Sequence, residues 1–108
     1  MANTFKTKFS KSVGTSAATI YTGPAATATT IIGMTVSNIT SSVITVDVYI
    51  TSSAVDYYLV KGATVPVGGS LVPIGGDQKV VIETGAVVKV VSSAATSADV
   101  VMSILEIT

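Results

Sequence analysis

The side chains that most often carry out catalysis or bind transition metals are missing from this sequence. The 108-residue chain has no His, Cys or Trp, and its six basic residues are all lysines. It therefore lacks the usual general base, the thiol nucleophile and the nitrogen and sulfur ligands of zinc, copper and iron. Without Arg it also lacks the planar group that binds phosphate through two hydrogen bonds. Ser10 next to Lys11 is a commonplace dipeptide, and we expect no enzyme activity and no cofactor.

Carboxylates are the remaining candidates for acid–base chemistry or cation binding. The six acids occur singly, and we expect most of them at outward strand positions or turns: Asp47, Asp56, Asp77, Glu83, Asp99 and Glu106. Calcium takes several oxygen ligands, whereas the loop at 75–78 (GGDQ) offers one charged ligand, Asp77. The sequence therefore predicts solvated surface carboxylates and no metal site.

Charge is distributed unevenly along the chain, although the net charge is zero. Half of the lysines, Lys6, Lys8 and Lys11, lie in the first eleven residues with no acid among them, which leaves three lysines and six acids in the rest. The pattern describes a basic segment on a mildly acidic body. A neutral molecule has no overall field that attracts nucleic acid or an acidic membrane, so we expect neither as a partner.

Strands must position whatever site the protein has. Segment 43–51 alternates four aliphatic residues with Thr, Asp and Tyr, and a period of two over eight residues predicts a half-buried strand. Segment 29–36 reads as a second strand, and Gly33 within it suggests a bulge or a close backbone approach. The polar stretch 37–42 between the two segments predicts a hairpin. Further strands are predicted at 19–22, 55–61, 70–74, 79–83, 87–91 and 99–107. Pro73 predicts an edge position for the strand at 70–74.

This pattern predicts an all-β protein with about eight short antiparallel strands, in a single β-sandwich or a jelly-roll-like barrel. We assign one domain to residues 13–108, preceded by residues 1–12 as a basic arm or a first strand. Small size and the lack of disulfides favour oligomerisation. So does a charged content of only 11 %, which leaves much uncharged surface.

The N-terminal segment contains both Phe residues of the protein. In an extended chain Phe5 and Phe9 lie on one side, and Lys6 and Lys8 on the other. Three interpretations remain open: a first strand of the sandwich, an arm that docks on a neighbouring subunit, or a phosphate-binding tail. As an arm, its Phe pair would occupy a groove of the neighbour, with the three lysines along the rim.

Tyrosines suggest a second contact surface. Tyr57 and Tyr58 are adjacent, so they point to opposite faces of a strand, and at most one of them meets a given partner. Together with Tyr49 they could pack in the core, pack in an interface or form a carbohydrate platform. We include Tyr57 and Tyr58 with the N-terminal residues as docking candidates.

Strand-and-turn segments spread over nearly the whole chain resemble those of a known group of proteins. These segments are 20–25 (IYTGPA), 46–51 (VDVYIT), 55–63 (VDYYLVKGA), 66–71 (PVGGSL), 75–79 (GGDQK) and 97–107. In them the chain resembles small virion structural proteins of tailed bacteriophages, notably cyanophages and other marine phages. The resemblance rests on structural patterns, because none of the segments is a chemical signature.

The resemblance implies a structural role in the virion, with assembly in the cytoplasm of the bacterial host. We expect a multi-copy capsid decoration or cement subunit that binds and stabilises the head, in contact with other copies of itself and a capsid protein. A trimer is expected because capsid lattices offer three-fold sites. A neck, tail or baseplate component and a receptor- or glycan-binding module are the alternatives.

Overall fold

The computed structural model describes residues 2–75 and 77–108, and its regular structure is entirely β. Nine strands lie in this part of the chain: β1 (Asn3–Val13), β2 (Ala18–Thr22), β3 (Ala28–Asn38), β4 (Ile44–Ser52), β5 (Val55–Val65), β6 (Ser70–Ile74), β7 (Val80–Ile82), β8 (Val87–Ser92) and β9 (Ala98–Ile107). The predicted all-β fold is therefore confirmed, and each predicted strand has a counterpart at nearly the same position.

The strands form two sheets, in the orders β1-β9-β3-β6 and β2-β8-β4-β5, with β7 also paired to β3. Strands pair from the two ends of the described chain inward: β1 with β9, β2 with β8, β3 with β6 and β7, and β4 with β5. Such a ribbon, wrapped so that successive pairs alternate between two sheets, is a jelly roll. Strands β6 and β7 together occupy one position in it.

The predicted hairpin between segments 29–36 and 43–51 is wrong. Strand β3 pairs with β6, β7 and β9, whereas β4 lies in the other sheet and pairs with β5 and β8. The connection crosses between the sheets and is held by Asn38, whose buried Nδ2 donates to the carbonyls of Ser42 and Val65 at 2.8 and 3.1 Å. Both strands direct aliphatic residues into one core from opposite sides, and this gives the same alternation as a hairpin.

The core fills the space between the sheets. In β4 the inward Ile44, Val46 and Val48 are buried, and Ile50 is half-buried, as the alternation predicted. Other large buried side chains follow the same period of two, which the bulge in β3 interrupts once between positions 31 and 34: Ile31, Met34 and Val36 on β3, Val88 and Val90 on β8, and Met102 and Ile104 on β9. The bulge predicted at Gly33 is present as a register shift between Ile31 and Gly33.

The N-terminal basic segment is strand β1 of the five-stranded sheet. It pairs with β9 in continuous register from Asn3, opposite Ile107, to Ser10, opposite Val100. A register shift then precedes Val13, whose side chain enters the core. Strand β1 has β9 on one side and no paired strand on the other, so it forms an edge of its sheet.

Candidate docking surface

Two phenylalanines lie on the outer face of the five-stranded sheet. The side chains of Phe5 and Phe9 are 72 % and 71 % exposed, because the odd-numbered residues of β1 before its register shift point away from the core. Leu105 lies opposite Phe5 on β9, and Val101 lies opposite Phe9. Directly opposed residues share a face of the sheet, so each Phe side chain lies next to a second apolar side chain.

This apolar surface extends across the sheet. Leu105 pairs with Thr30 of β3, and Thr30 pairs with the exposed Val81 of β7. Between the two rows, Ile32 lines a shallow groove with Phe5, Thr7 and Ser103. We call the exposed side of Phe5, Phe9, Ile32, Val81, Val101 and Leu105 the Phe surface.

On the outward positions of β1, β9 and β3, the charged side chains are Lys11 and Asp99, and they neutralise each other. The Nζ of Lys11 lies 2.8 Å from Oδ2 of Asp99, and the backbone N–H of Ser12 donates to Oδ1 at 2.9 Å. Hydrogen bonds from Lys11 and then Ser12 lower the pKa of Asp99. The outward side of β1, β9 and β3, which includes most of the Phe surface, therefore carries no net charge at neutral pH.

Lys6 and Lys8 point to the opposite side of β1, where they join a buried polar cluster. The Nζ of Lys6 lies 2.8 Å from Oε1 of Glu106, and the Tyr21 hydroxyl donates to Oε2 of the same carboxylate at 2.5 Å. The Tyr21 hydroxyl also lies 2.8 Å from Oγ1 of Thr29, and the Nζ of Lys8 lies 5.8 Å from the centre of the Tyr21 ring. The cluster connects β1, β2, β3 and β9.

Burial and hydrogen bonding set the ionisation of this cluster. Glu106 is 7 % exposed, yet its pKa is lowered because Lys6 and then Tyr21 donate hydrogen bonds to the carboxylate. Desolvation, followed by the bond to Glu106, raises the pKa of Tyr21 to about 12. The carboxylate is therefore ionised and the phenol neutral throughout the physiological pH range.

The predicted docking residues thus fall into separate groups. Phe5 and Phe9 share one exposed surface, but Lys6 and Lys11 are in ion pairs within the chain and Lys8 lies over Tyr21. Lys6, Lys8 and Lys11 therefore do not form a separate basic rim beside the Phe pair.

The predicted tyrosines lie on β5, in the other sheet. Tyr58 packs against Tyr49 with ring centres 4.9 Å apart, and the Nζ of Lys61 lies 4.3 Å from the centre of the Tyr58 ring. Tyr57 is 60 % exposed and follows the opposite alternation. Burial, and then the charge of Asp56, raises the pKa of Tyr49. The two tyrosines therefore lie on opposite faces of β5, and neither belongs to the Phe surface.

Glu106 is an exception to the expectation that the acids face solvent, because its side chain is buried. Other acids fix the local geometry of the backbone or of a neighbouring side chain. Asp47 accepts a hydrogen bond from the N–H of Gly62 at 2.6 Å, at a bulge where Gly62 has φ +66°. Asp56 accepts one from the hydroxyl of Thr51 at 2.7 Å. A signal for Glu106 was present, because it follows Val100, Met102 and Ile104 at the inward spacing of β9.

Residues 2–75 and 77–108 contain no group of three or more acidic, His or Cys side chains that could hold a metal ion. Gly76, within the loop considered for calcium, lies outside the described residues, and the described Asp77 is exposed in a turn. No helix in the described part of the chain is long and apolar enough to cross a membrane. Comparisons with protein-family models, curated proteins and solved structures found no match.

Proposed function

We propose that this chain is a non-enzymatic structural protein of a bacteriophage virion, a decoration or cement subunit that binds the capsid in many copies and stabilises the head. The observation that carries the proposal is the exposure of both Phe side chains, 72 % and 71 %, on a sheet face. Aromatic residues that are buried on association often supply much of the binding energy. A working state in which this face is covered by another protein accounts for their position.

Charge supports a protein partner. The outward residues of β1, β9 and β3 contain one internal ion pair, Lys11–Asp99, and otherwise uncharged side chains. Such a face can be covered without leaving an unpaired charge, which is the costly step in forming an apolar interface. The bacteriophage resemblance of segments such as 55–63 supplies the kind of partner, a capsid protein.

The jelly roll is compatible with the proposal without selecting it. This architecture occurs in viral capsid proteins and also in lectins and other proteins, so the fold alone does not assign a function. The decisive features are the side chains of the Phe surface and the resemblance.

A recognition module for receptors or glycans is the second candidate, and the tyrosines of β5 favour it. Tyr57 is exposed, and the neighbouring Tyr58 lies between Tyr49 and Lys61. Aromatic rings beside polar groups can stack on sugars. A neck, tail or baseplate subunit would use the same Phe surface as a decoration subunit, and differs from it in location and copy number.

Quantitative mass spectrometry of particles from the virus that encodes the chain tests the location. Many copies on the head are expected. A small fixed number at the neck or baseplate would assign the chain to that position instead, and absence from the particle would overturn the virion role.

Binding of purified variants to particles assembled without the chain tests the surface. We expect Phe5→Ser with Phe9→Ser to weaken binding at least about tenfold, because two interface aromatics are lost. Tyr57→Ser is the matched control, since it removes an aromatic side chain that is 60 % exposed from the other sheet. Loss of binding in Tyr57→Ser alone would favour the recognition module, and unchanged binding in both would exclude the Phe surface.

A further inference from the structure

The edge strands of the two sheets differ in length and regularity, and therefore in whether another strand can pair with them. Unpaired backbone groups of an edge strand are a template for strand addition, and natural edges are often blocked by bulges, proline, short length or charged side chains such as Lys. Strand β5 has two register shifts against β4, β6 contains Pro73 and is separated from β7, and β2 has five residues with a register shift. Each of these three edges is therefore irregular or short.

Strand β1 is the one regular edge among the described residues, although Lys6, Lys8 and Lys11 lie along it. Its register with β9 is continuous from Asn3 to Ser10, and this stretch contains neither proline nor glycine. The backbone side that faces away from β9 has no paired strand. An eight-residue stretch of regular edge is long enough to receive a complete strand, since strands usually have about five or six residues.

The sequence of this edge is self-complementary. An antiparallel partner strand of the same sequence, centred on Thr7, places Phe5 opposite Phe9 of a second copy and Phe9 opposite its Phe5. Directly opposed aromatic side chains stabilise a strand pair. Both contacts form on the outer face, where the two Phe side chains are exposed. We infer that two copies of this chain pair through the free edges of β1, around a two-fold axis at Thr7.

Lysines oppose this pairing on the inner side. In the same register Lys6 faces Lys8 of the second copy. The ammonium of Lys6 is held 2.8 Å from Glu106 of its own chain, and that of Lys8 lies 5.8 Å from the centre of its own Tyr21 ring. These contacts reduce the repulsion without removing it. Since salt screens exposed charges, the pairing strengthens as ionic strength rises, which is opposite to an interface held by ion pairs.

The pairing of two β1 edges goes beyond the proposed function, because it needs only a second copy of the chain and no capsid protein. The two five-stranded sheets become one continuous sheet, and their Phe surfaces become one surface with the Phe5–Phe9 contacts at its centre. An isologous contact of this kind closes with two copies. It therefore gives a two-fold assembly, where the bacteriophage resemblance led us to expect a three-fold one.

Cysteine cross-linking tests the register, since the natural chain has no Cys. In Thr7→Cys the new thiol faces its own counterpart across the axis, at a Cβ separation of about 4.5–5.5 Å, near the range for a disulfide. We expect mild oxidation to convert this variant to a covalent dimer. Ser103→Cys is the matched control, because Ser103 lies directly opposite Thr7 on β9 and shares the outer face. There the two thiols would lie three strand spacings apart, roughly 14 Å, and we expect no cross-link.

Light scattering of the unmodified protein provides an independent measurement. We expect a dimer whose dissociation constant falls when salt is raised, and at least tenfold weaker association for Phe5→Ser with Phe9→Ser. A monomer at high concentration, a trimer, or equal cross-linking of Ser103→Cys and Thr7→Cys would overturn the inference. Because no particle is used, failure here is distinguishable from failure to bind a capsid.

Discussion

The hydroxyl of Tyr21 lies 2.5 Å from Oε2 of Glu106, although 85 residues separate them in the sequence. Lys6 contacts the other oxygen of the same carboxylate. A single ionised side chain on β9 thus contacts side chains of both β1 and β2. We expect the stability of the fold to depend on the protonation of this carboxylate.

Acid should weaken this cluster. The folded-state pKa of Glu106 is below its ordinary value, so its contribution to stability is fully present above that ordinary value and is lost as pH falls through the lowered one. We expect Glu106→Gln to reduce the free energy of unfolding by about 1–2 kcal/mol at neutral pH. Urea titrations should show a smaller acid loss in this variant than in the natural chain. Asp99→Asn should also reduce the acid loss, because the pKa of Asp99 is lowered too, but it does so through the separate Lys11 ion pair and should leave the Tyr21–Glu106 contact intact. Equal pH profiles of Glu106→Gln and the natural chain would contradict the prediction.

Alkali should act through Tyr21. Its pKa is raised from 10.0 to about 12, so the folded state retains a proton that the unfolded state loses. The corresponding stability is present below pH 10 and is lost as pH rises from 10 towards 12. We expect Tyr21→Phe to cost about 1–2 kcal/mol at neutral pH and to reduce the alkaline loss, measured by urea titration at several pH values. Tyr49 also has a raised pKa, so the loss should not vanish. An unchanged alkaline slope in Tyr21→Phe would exclude this role.

The core should reject a charge at Val46, which is 1 % exposed. Val46→Asp buries a carboxylate without a partner, and the cost of several kcal/mol is comparable to the total stability of a small domain, about 5–15 kcal/mol. We expect circular dichroism to show loss of the cooperative thermal transition. Thr45→Asp, on the outward face of the same strand, should retain it. A folded Val46→Asp protein would mean that this position is less enclosed than the structure shows.

The turn between β4 and β5 offers a stabilising change. Ser53 and Ala54 both have positive φ, 52° and 63°, in a two-residue hairpin loop that favours Asn-Gly. We expect Ser53→Asn with Ala54→Gly to raise stability by about 1 kcal/mol, because left-handed backbone is costly for most residues. Thermal unfolding measures this change. Asn-Gly at Ala17 and Ala18, where φ is not positive, should not stabilise, and a lower melting temperature for the turn variant would refute the strain argument.

Asn38 should be required for the crossing between the sheets. Its Nδ2 donates to two carbonyls and its Oδ1 accepts from the N–H and hydroxyl of Thr40. We expect Asn38→Ala to destabilise the fold by about 2–3 kcal/mol in urea titrations, because a buried carbonyl of Val65 loses its side-chain partner. Asn3→Ala, at an exposed strand end, should have little effect. Equal stabilities of the two variants would argue against this role for Asn38.

The positions of the strands could be predicted from the sequence because alternation is a local property. Segment 43–51 alternates clearly and is β4, whereas its pairing partner is a long-range property that alternation does not encode. The predicted hairpin failed for this reason. The position of Phe5 and Phe9 on one side of the strand could be predicted, because they are an even number of residues apart and a strand alternates sides at every residue. The contact of Lys6 with Glu106 could not be predicted, because it depends on β1 and β9 lying side by side.

The pairing of β1 with β9 also sets the order of folding. Asn3 pairs with Ile107, so β1 is synthesised about one hundred residues before the strand that it pairs with. Such long-range pairing slows folding and leaves early segments exposed. We expect the three lysines within β1 to keep this unpaired strand, with its two Phe side chains, from aggregating, since charges interrupt aggregation-prone stretches. The concentration of charge in this segment would then protect the chain during its synthesis.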